Sequence, residues 1–200
     1  MEILYKVHNN LYVNLTNKCP CACTFCLRQN TDRVGESDSL WLEREPTAEE
    51  VIAAFAEQDM RAYDEVVFCG FGEPTEALPV LLPVADYVKE TYAMPVRLNT
   101  NGLGNLIWER DITPEFEGRI DTVSISLNTP DPARYLELTR SRFGEGSFEA
   151  VLDFAERCAR HVGKVVMTTV ETTITREEEE ACRQICAERG IHYRIRTFEG

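Results

Sequence analysis

Short runs of apolar residues alternate along this chain with longer segments in which apolar residues recur at helical spacing. The runs predict six β-strands, and the longer segments predict helices between them. Two helix starts carry a capping box, Thr47 with Glu50 and Thr175 with Glu178. The predicted strands are residues 11–15, 65–68, 96–100, 122–127, 165–173 and 191–197. The predicted helices are residues 47–60 and 78–91, one capped by Ser147, and one that runs through Arg189 and stops at Gly190.

Strands that alternate with helices are typical of an α/β fold with a parallel sheet and right-handed crossovers. In such folds the chemistry gathers at the carboxyl ends of the strands. Three unusual segments follow the first three predicted strands: a cysteine-rich loop, the turn at residues 69–74, and the Asn-Thr-Asn-Gly sequence at residues 99–102. We therefore expect these segments to meet at one edge of the sheet.

Composition limits the function classes. The 200 residues suit one sizeable domain. A net charge of −13 argues against a nonspecific nucleic-acid binder, because phosphate binding depends on Lys and Arg. No apolar run approaches the roughly 18 residues of a membrane span, and the start lacks the layout of a secretory signal. We expect a cytoplasmic protein whose eight cysteines serve a metal or redox site rather than disulfides.

Cys19, Cys23 and Cys26 share one short loop with Cys-x3-Cys-x2-Cys spacing. Thiolates suit soft metals and iron–sulfur clusters, and three of them on a four-iron cluster leave one iron open to another molecule. A structural zinc site is the alternative, but such sites usually combine two separated ligand pairs, and no second pair is evident downstream. Cys21 is interpreted as a bystander, because thiolates this close can rarely all reach one cluster.

The Cys-x3-Cys-x-aromatic-Cys pattern after the first strand, with Phe25 as the aromatic residue, resembles the signature of the radical S-adenosylmethionine (SAM) superfamily. Residues 14–28, 38–46, 63–76 and 97–104 are similar to its TatD-associated subgroup. The resemblance implies a partial (βα)6 TIM-like barrel with parallel strands, in a single radical SAM core domain over residues 1–200. It also implies a [4Fe–4S] cluster on Cys19, Cys23 and Cys26, in a loop of about residues 17–30, whose open iron takes the amine and carboxylate of SAM.

The resemblance extends to the turn Phe71-Gly72-Glu73-Pro74, whose counterpart in the family holds the SAM amine. The usual first glycine is replaced here by Phe71. Glu73 supplies an acceptor for an ammonium group, and Gly72 and Pro74 supply a tight bend beside it. Phe25, next to the last cluster cysteine, is a further expected SAM contact.

Ser124, Ser126 and Asn128 alternate with apolar residues on the fourth predicted strand and should share one face. A polar stripe is unusual in a parallel strand, and a ligand-filled interior explains it. By the resemblance this strand contacts SAM, through Ser126 and Asn128 nearest its carboxyl end. Asn99 and Asn101 on the third strand and Thr169 and Glu171 on the fifth follow the same alternation, and we expect Asn99 and Glu171 to contact SAM.

Arg194 and Arg196 share a face of the last predicted strand. Either could bind a carboxylate or phosphate of SAM or of the substrate, and Arg196 is the expected SAM contact. A salt bridge to Glu171 or Glu199 is equally open.

The remaining cysteines carry weaker signals. Cys158, Cys182 and Cys186 fall on apolar helix faces and are predicted to pack in the core. Cys69 abuts the turn after the second predicted strand, and both a packing role and a functional role stay open.

The resemblance implies reductive cleavage of SAM to a 5′-deoxyadenosyl radical, which abstracts a hydrogen atom from a substrate that the sequence does not identify. The expected partners are a low-potential electron donor of flavodoxin or ferredoxin type and a small-molecule, peptide or protein substrate. Two alternatives are a glycyl-radical-type activase acting on a partner protein and an iron–sulfur electron carrier without SAM chemistry.

Overall fold

Seven strands form one sheet in the computed structural model, which describes residues 2–197. The strands lie side by side in sequence order, with β1 antiparallel to β2 and each later pair parallel. The two outer strands, β1 and β7, do not pair with each other, so the barrel is not closed. The strands are β1 (Leu4–Val7), β2 (Asn10–Val13), β3 (Glu65–Phe68), β4 (Val96–Thr100), β5 (Thr122–Ser126), β6 (Lys164–Val170) and β7 (His192–Arg196).

Six α-helices accompany the sheet in the described part of the chain. They are α1 (Ala48–Phe55), α2 (Leu78–Tyr92), α3 (Gly104–Ile107), α4 (Pro132–Thr139), α5 (Ser147–Cys158) and α6 (Arg176–Glu188). The predicted α/β class with six parallel strands is confirmed. The prediction missed β1, which forms a hairpin with β2, and it also missed α3 and α4.

The helix boundaries follow local capping, with two exceptions. Both predicted capping boxes are present, and Gly190 has a φ of 65° two residues after the last helix, which ends at Glu188. The prediction that α1 reaches residue 60 was wrong: the helix ends at Phe55, and Asp59 starts a separate 3₁₀ turn. The predicted cap by Ser147 was also wrong, because its hydroxyl donates to the Gly144 carbonyl at 2.7 Å and caps no helix N–H.

The sheet has an apolar outer face and a polar inner face. Leu98, Ile125 and Met167 are fully buried in the core between the outer face and the helices. The predicted core cysteines lie there too, and burial raises the pKa of Cys182 to about 12 and that of Cys186 to about 11. Strand alternation sends the intervening residues of each strand to the inner face. The candidate site is built on that inner face.

Among residues 2–197, no helix combines the length and apolar character that crossing a lipid bilayer requires.

The capping box of α6 generates the first testable prediction. Thr175 Oγ1 accepts a hydrogen bond from the Glu178 N–H at 3.2 Å, and Thr175→Ala removes that acceptor. We expect the free energy of unfolding in urea to fall by about 1 kcal/mol. Thr91→Ala is the matched control, because Thr91 is an exposed residue of α2 without a capping role, and its change should stay within about 0.5 kcal/mol. Equal losses in both variants would contradict the capping role.

Candidate functional site

A cavity of about 690 Å³ opens on the inner face of the sheet, where the three unusual segments of the sequence meet. Its wall includes the cysteine-rich loop after β2, the turn after β3 and the end of β4, as the sequence predicted. The volume lies within the usual range for small-molecule sites. The cavity is therefore the candidate functional site.

Cys19, Cys23 and Cys26 all line this cavity, and so does the buried Cys21. The Cys21 side chain hydrogen-bonds to those of Cys19 and Cys23, which lowers the pKa of these two thiols and raises that of Cys21 itself. Burial raises the pKa of Cys26. Over the described residues, no three His, Cys, Asp or Glu side chains converge as a single metal ion would require. Sequence reasoning missed the contact of Cys21 with its two neighbours.

Arg28 fixes the shape of the cysteine-rich loop from inside. Its guanidinium donates to the carbonyl oxygens of Asn17 and Cys21, both at 3.2 Å, and to that of Phe71 at 3.3 Å. One side chain therefore joins both ends of the loop to the turn after β3. Arg28 follows the last cysteine by two residues, but its partners are distant in sequence and no local pattern indicates them.

Helix α4 supports the same loop from outside. The N–H groups of Ala22 and Thr24 donate to the carbonyls of Thr139 and Leu138, each at 2.9 Å. The last carbonyl groups of a helix have no hydrogen-bond partners within the helix. The loop N–H groups supply these partners to α4, and the same hydrogen bonds fix the loop against the helix.

Glycine is required where the turn after β3 approaches the loop. A Cβ on Gly72 would lie 2.2 Å from the carbonyl oxygen of Thr16 and 2.6 Å from that of Lys18. The next residue confirms the contact, since the Glu73 N–H donates to the Lys18 carbonyl at 2.8 Å. Gly72 is therefore needed for close packing of two backbones, in addition to any role in ligand binding.

The Glu73 carboxylate, only 3% exposed, joins the ends of β3 and β4. Its Oε1 accepts from the Thr75 N–H at 3.1 Å, the Thr75 hydroxyl at 2.7 Å and the Thr100 hydroxyl at 2.6 Å. Its Oε2 accepts from the Asn101 N–H at 2.7 Å. Burial raises the pKa of Glu73, against the lowering effect of these hydrogen bonds. Because Oε2 has one donor here, it is the oxygen with acceptor capacity left for a ligand.

Asn101 connects the end of β4 to the cysteines. Its Oδ1 accepts from the Leu103 N–H at 2.9 Å, which turns Nδ2 toward the sulfur atoms of Cys19, at 3.8 Å, and Cys21, at 4.0 Å. The sequence indicated that Asn101 shares the face of Asn99, but it did not indicate this contact.

The other predicted SAM contacts divide into two groups. Glu171 is exposed and outside the cavity wall, and that expectation is corrected: Val170 is the residue of β6 that lines the cavity, so alternation directs Glu171 to the outer side together with Met167. Ser124 is buried and does not line the cavity, and Glu199, a possible ion-pair partner, lies outside the described residues. The predicted residues that do line the cavity are Phe25, Gly72, Glu73, Pro74, Asn99, Ser126, Asn128 and Arg196.

Two amides of the cavity wall are incompletely satisfied. The Oδ1 atoms of Asn99 and Asn128 are buried and have no hydrogen-bond partner among the described residues. The Asn99 side chain hydrogen-bonds to the Cys69 thiol, which also lines the cavity. Buried polar atoms of this kind are usually satisfied in a complete structure, so they indicate a ligand or ordered water.

Known proteins resemble this chain in sequence. The family model of the Radical SAM superfamily matches residues 13–185. GTP 3′,8-cyclases from two strains of Clostridium perfringens are 28% identical to this chain over 166 residues. The aligned part covers 80% of this chain and 46% of each cyclase. The chain thus spans about half the length of the curated relatives that it matches.

Solved structures share the fold at lower sequence identity. A radical SAM methyltransferase from Sphaerobacter thermophilus matches with a TM-score of 0.64 at 17% identity, over 98% of this chain and 69% of its own. Streptococcus suis SuiB bound to S-adenosylmethionine gives 0.64 at 18%, over 94% and 38%. The protein anSMEcpe with bound AdoMet gives 0.66 at 16%, over 94% and 50%. At these identities the likeness establishes the fold alone.

The packing of Gly72 yields a prediction about the loop. Gly72→Ala should destabilise the protein by about 1–3 kcal/mol, because the added methyl group meets two backbone oxygens that cannot rotate away. The cysteine-rich loop should loosen with it, and its thiols should react faster with a thiol reagent. Gly146→Ala is the matched control, since Gly146 has a φ of −71° and no atom within 4 Å of the added carbon. Unchanged stability and thiol reactivity in Gly72→Ala would refute the packing role.

Proposed function

The chain belongs to the radical SAM superfamily, and from that premise we propose that it cleaves SAM reductively at a [4Fe–4S] cluster. Members of this superfamily are enzymes that use such a cluster together with SAM. When bound, the two cofactors supply a 5′-deoxyadenosyl radical that abstracts a hydrogen atom from the substrate. The protein contributes binding, orientation and the shape of the cavity.

One observation carries the proposal: the three cysteines of the Cys-x3-Cys-x2-Cys loop line the same cavity as the Phe71–Pro74 turn. Cys19, Cys23 and Cys26 would hold the cluster. Each cysteine of such a cluster binds a different iron, so three thiols distributed along one wall suit it, and a fourth iron is left for SAM. An electron carrier would normally provide four cysteines and has no use for the turn or for the polar inner face.

The turn and the inner face would hold SAM. We assign the amine to Glu73 Oε2, with Gly72 and Pro74 shaping the wall beside it. The unsatisfied Oδ1 atoms of Asn99 and Asn128 offer acceptors in the same cavity.

Three further wall residues complete the proposed SAM site. Ser126 offers a hydroxyl next to these amides, Arg196 a guanidinium for a carboxylate, and Phe25 an aromatic ring beside the cysteines. Glu171 has no part in the proposal because it is exposed outside the cavity.

Other residues of the chain affect the protonation of the cysteine thiols. Hydrogen bonds from Cys21 lower the pKa of Cys19 and Cys23, and the positive charge of Arg28 acts in the same direction. At Cys26 that charge opposes the burial that raises the pKa of the thiol. Asn101 adds an N–H donor at the Cys19 sulfur. The Arg28 and Asn101 side chains both favour the thiolate form that binds iron.

We further propose that residues 1–200 form a single radical SAM core domain. We also propose that the chain is of the TatD-associated type, because residues 14–28, 38–46, 63–76 and 97–104 are similar to that subgroup. The low-potential electron donor would be of flavodoxin or ferredoxin type. The similarity to GTP 3′,8-cyclases supports enzymatic SAM chemistry in general, and at 28% identity over about half their length it does not extend to their substrate.

The proposal predicts SAM cleavage that depends on three of the four loop cysteines. Anaerobically reconstituted protein, reduced with dithionite and given SAM, should release 5′-deoxyadenosine, measured by chromatography. Single replacements of Cys19, Cys23 or Cys26 by alanine should reduce this release to that of a protein-free blank and lower bound iron. Cys21→Ala is the matched control and should keep both iron and cleavage.

Two outcomes would overturn this assignment. Reconstituted protein that takes up a cluster but releases no 5′-deoxyadenosine would favour the electron carrier. A Cys21→Ala variant that loses its iron as the other three do would show that all four cysteines are ligands.

The contact of Asn101 with Cys19 predicts a shift in the reduction potential of the cluster. A hydrogen bond to a ligating sulfur stabilises the reduced state, so Asn101→Leu should lower the midpoint potential by on the order of 20–60 mV. Asn101→Asp keeps an acceptor for the Leu103 N–H and places negative charge at the sulfur, so it should lower the potential further. Redox titration followed by electron paramagnetic resonance measures both. Equal potentials in all three proteins would exclude the hydrogen bond.

A further inference from the structure

Arginine side chains collect on the wall of the cavity that the sheet provides. Arg97 on β4 and Arg194 on β7 both line the cavity, along with Arg196. Along β4, Arg97 precedes Asn101 by four residues, and Asn101 is the residue that reaches the Cys19 sulfur. At the rise of an extended strand this separates their backbones by about 13 Å. Arg97 therefore lies well away from the level at which the amine and carboxylate of SAM are expected.

Arg97 is held in place by neighbours on the inner face. Its guanidinium pairs with Glu65 Oε1 at 2.6 Å, and its side chain is only 13% exposed. The Asn10 amide donates to the same carboxylate oxygen at 3.0 Å. A guanidinium fixed in this way loses little conformational entropy when it binds a ligand.

Arg194 approaches the cavity from the other side of the open barrel. It is exposed, and its guanidinium makes no hydrogen bond or ion pair within the part of the chain that the structure describes. Its guanidinium is thus available to a ligand without breaking an existing contact.

The charges of the cavity wall are unbalanced. Apart from Arg28, which is engaged with the loop carbonyls, the wall carries three arginines against the carboxylates of Glu65 and Glu73. In the proposed SAM site Glu73 would face the amine and Arg196 the carboxylate, which leaves Arg97 and Arg194 against the single carboxylate of Glu65 on the rest of the wall. An excess of positive charge within a cleft of low dielectric attracts anions, even though the whole chain carries −13.

We propose that the substrate is an anionic small molecule whose phosphate or carboxylate group binds between Arg97 and Arg194. This inference rests on the proposed function, which makes the cavity the active site. Guanidinium groups bind phosphate and carboxylate groups alike, through paired hydrogen bonds. The two arginines therefore suit either group, and the experiment distinguishes a phosphate-bearing substrate from a carboxylate-bearing one. The cavity volume suits a small molecule beside SAM better than a folded partner.

The test measures binding of inorganic pyrophosphate and of citrate to the cluster-loaded protein by isothermal titration calorimetry under anaerobic conditions. Arg194→Gln removes one guanidinium without breaking an internal contact and should weaken binding by about tenfold or more. Arg97→Lys keeps the charge beside Glu65 but loses the forked geometry, and it should also weaken binding. Arg61→Gln is the matched control, because Arg61 is exposed, pairs only with Asp59 and does not line the cavity.

Binding of pyrophosphate alone would support a phosphate-bearing substrate, and binding of citrate alone would support a polycarboxylate. The proposal is overturned if neither anion binds, or if Arg194→Gln and Arg97→Lys bind as tightly as the unaltered protein. It is also overturned if these variants lose affinity for SAM instead. Release of 5′-deoxyadenosine, measured on the same samples, shows separately whether the proposed SAM chemistry stands.

Discussion

The site depends on a single buried carboxylate. Glu73 accepts hydrogen bonds from groups at the ends of two neighbouring strands, and its own N–H binds the start of the cysteine-rich loop. Through its bond to the Asn101 backbone it also places the amide that reaches Cys19. A carboxylate in this position resists burial, as its raised pKa indicates, and it is held because several donors converge on it. The loop, the turn and the end of β4 therefore form one unit.

That unit requires a sheet with two different faces. The outer face supplies the apolar core with residues such as Leu98 and Ile125. The inner face carries residues such as Arg97 and Asn99, which cannot be packed against a hydrophobic layer without loss of hydrogen bonds. A curved sheet resolves the conflict, because its concave side encloses a cavity that polar ligands and water can fill. The same curvature brings β7 to the cavity that β2 and β3 begin.

The parts of the structure that sequence predicted are those determined locally. Neighbouring residues alone were enough to predict the strand Val96–Thr100 and both capping boxes. The spacing of the loop cysteines is likewise a local feature of the sequence. Glu171 was misplaced because the sequence of β6 does not show which of its residues face inward, and Val170 lines the cavity while Met167 packs in the core. Helix α4 went unrecognised, although Asp131 and Pro132 form an ordinary helix start. The contact between Asn101 and Cys19 joins residues 82 positions apart, and only the folded sheet creates it.

The distribution of charge follows the same division between the outside and the inside of the fold. A net charge of −13 repels polyanions such as nucleic acids, whose phosphates would have to approach many carboxylates at once. Arg97 and Arg194 line the cavity, and in the proposed role they would act on a molecule small enough to enter it. Charge and access together would then select small anions and reject large ones. This selection follows from strand alternation, which decides the side chains of each strand that face the cavity.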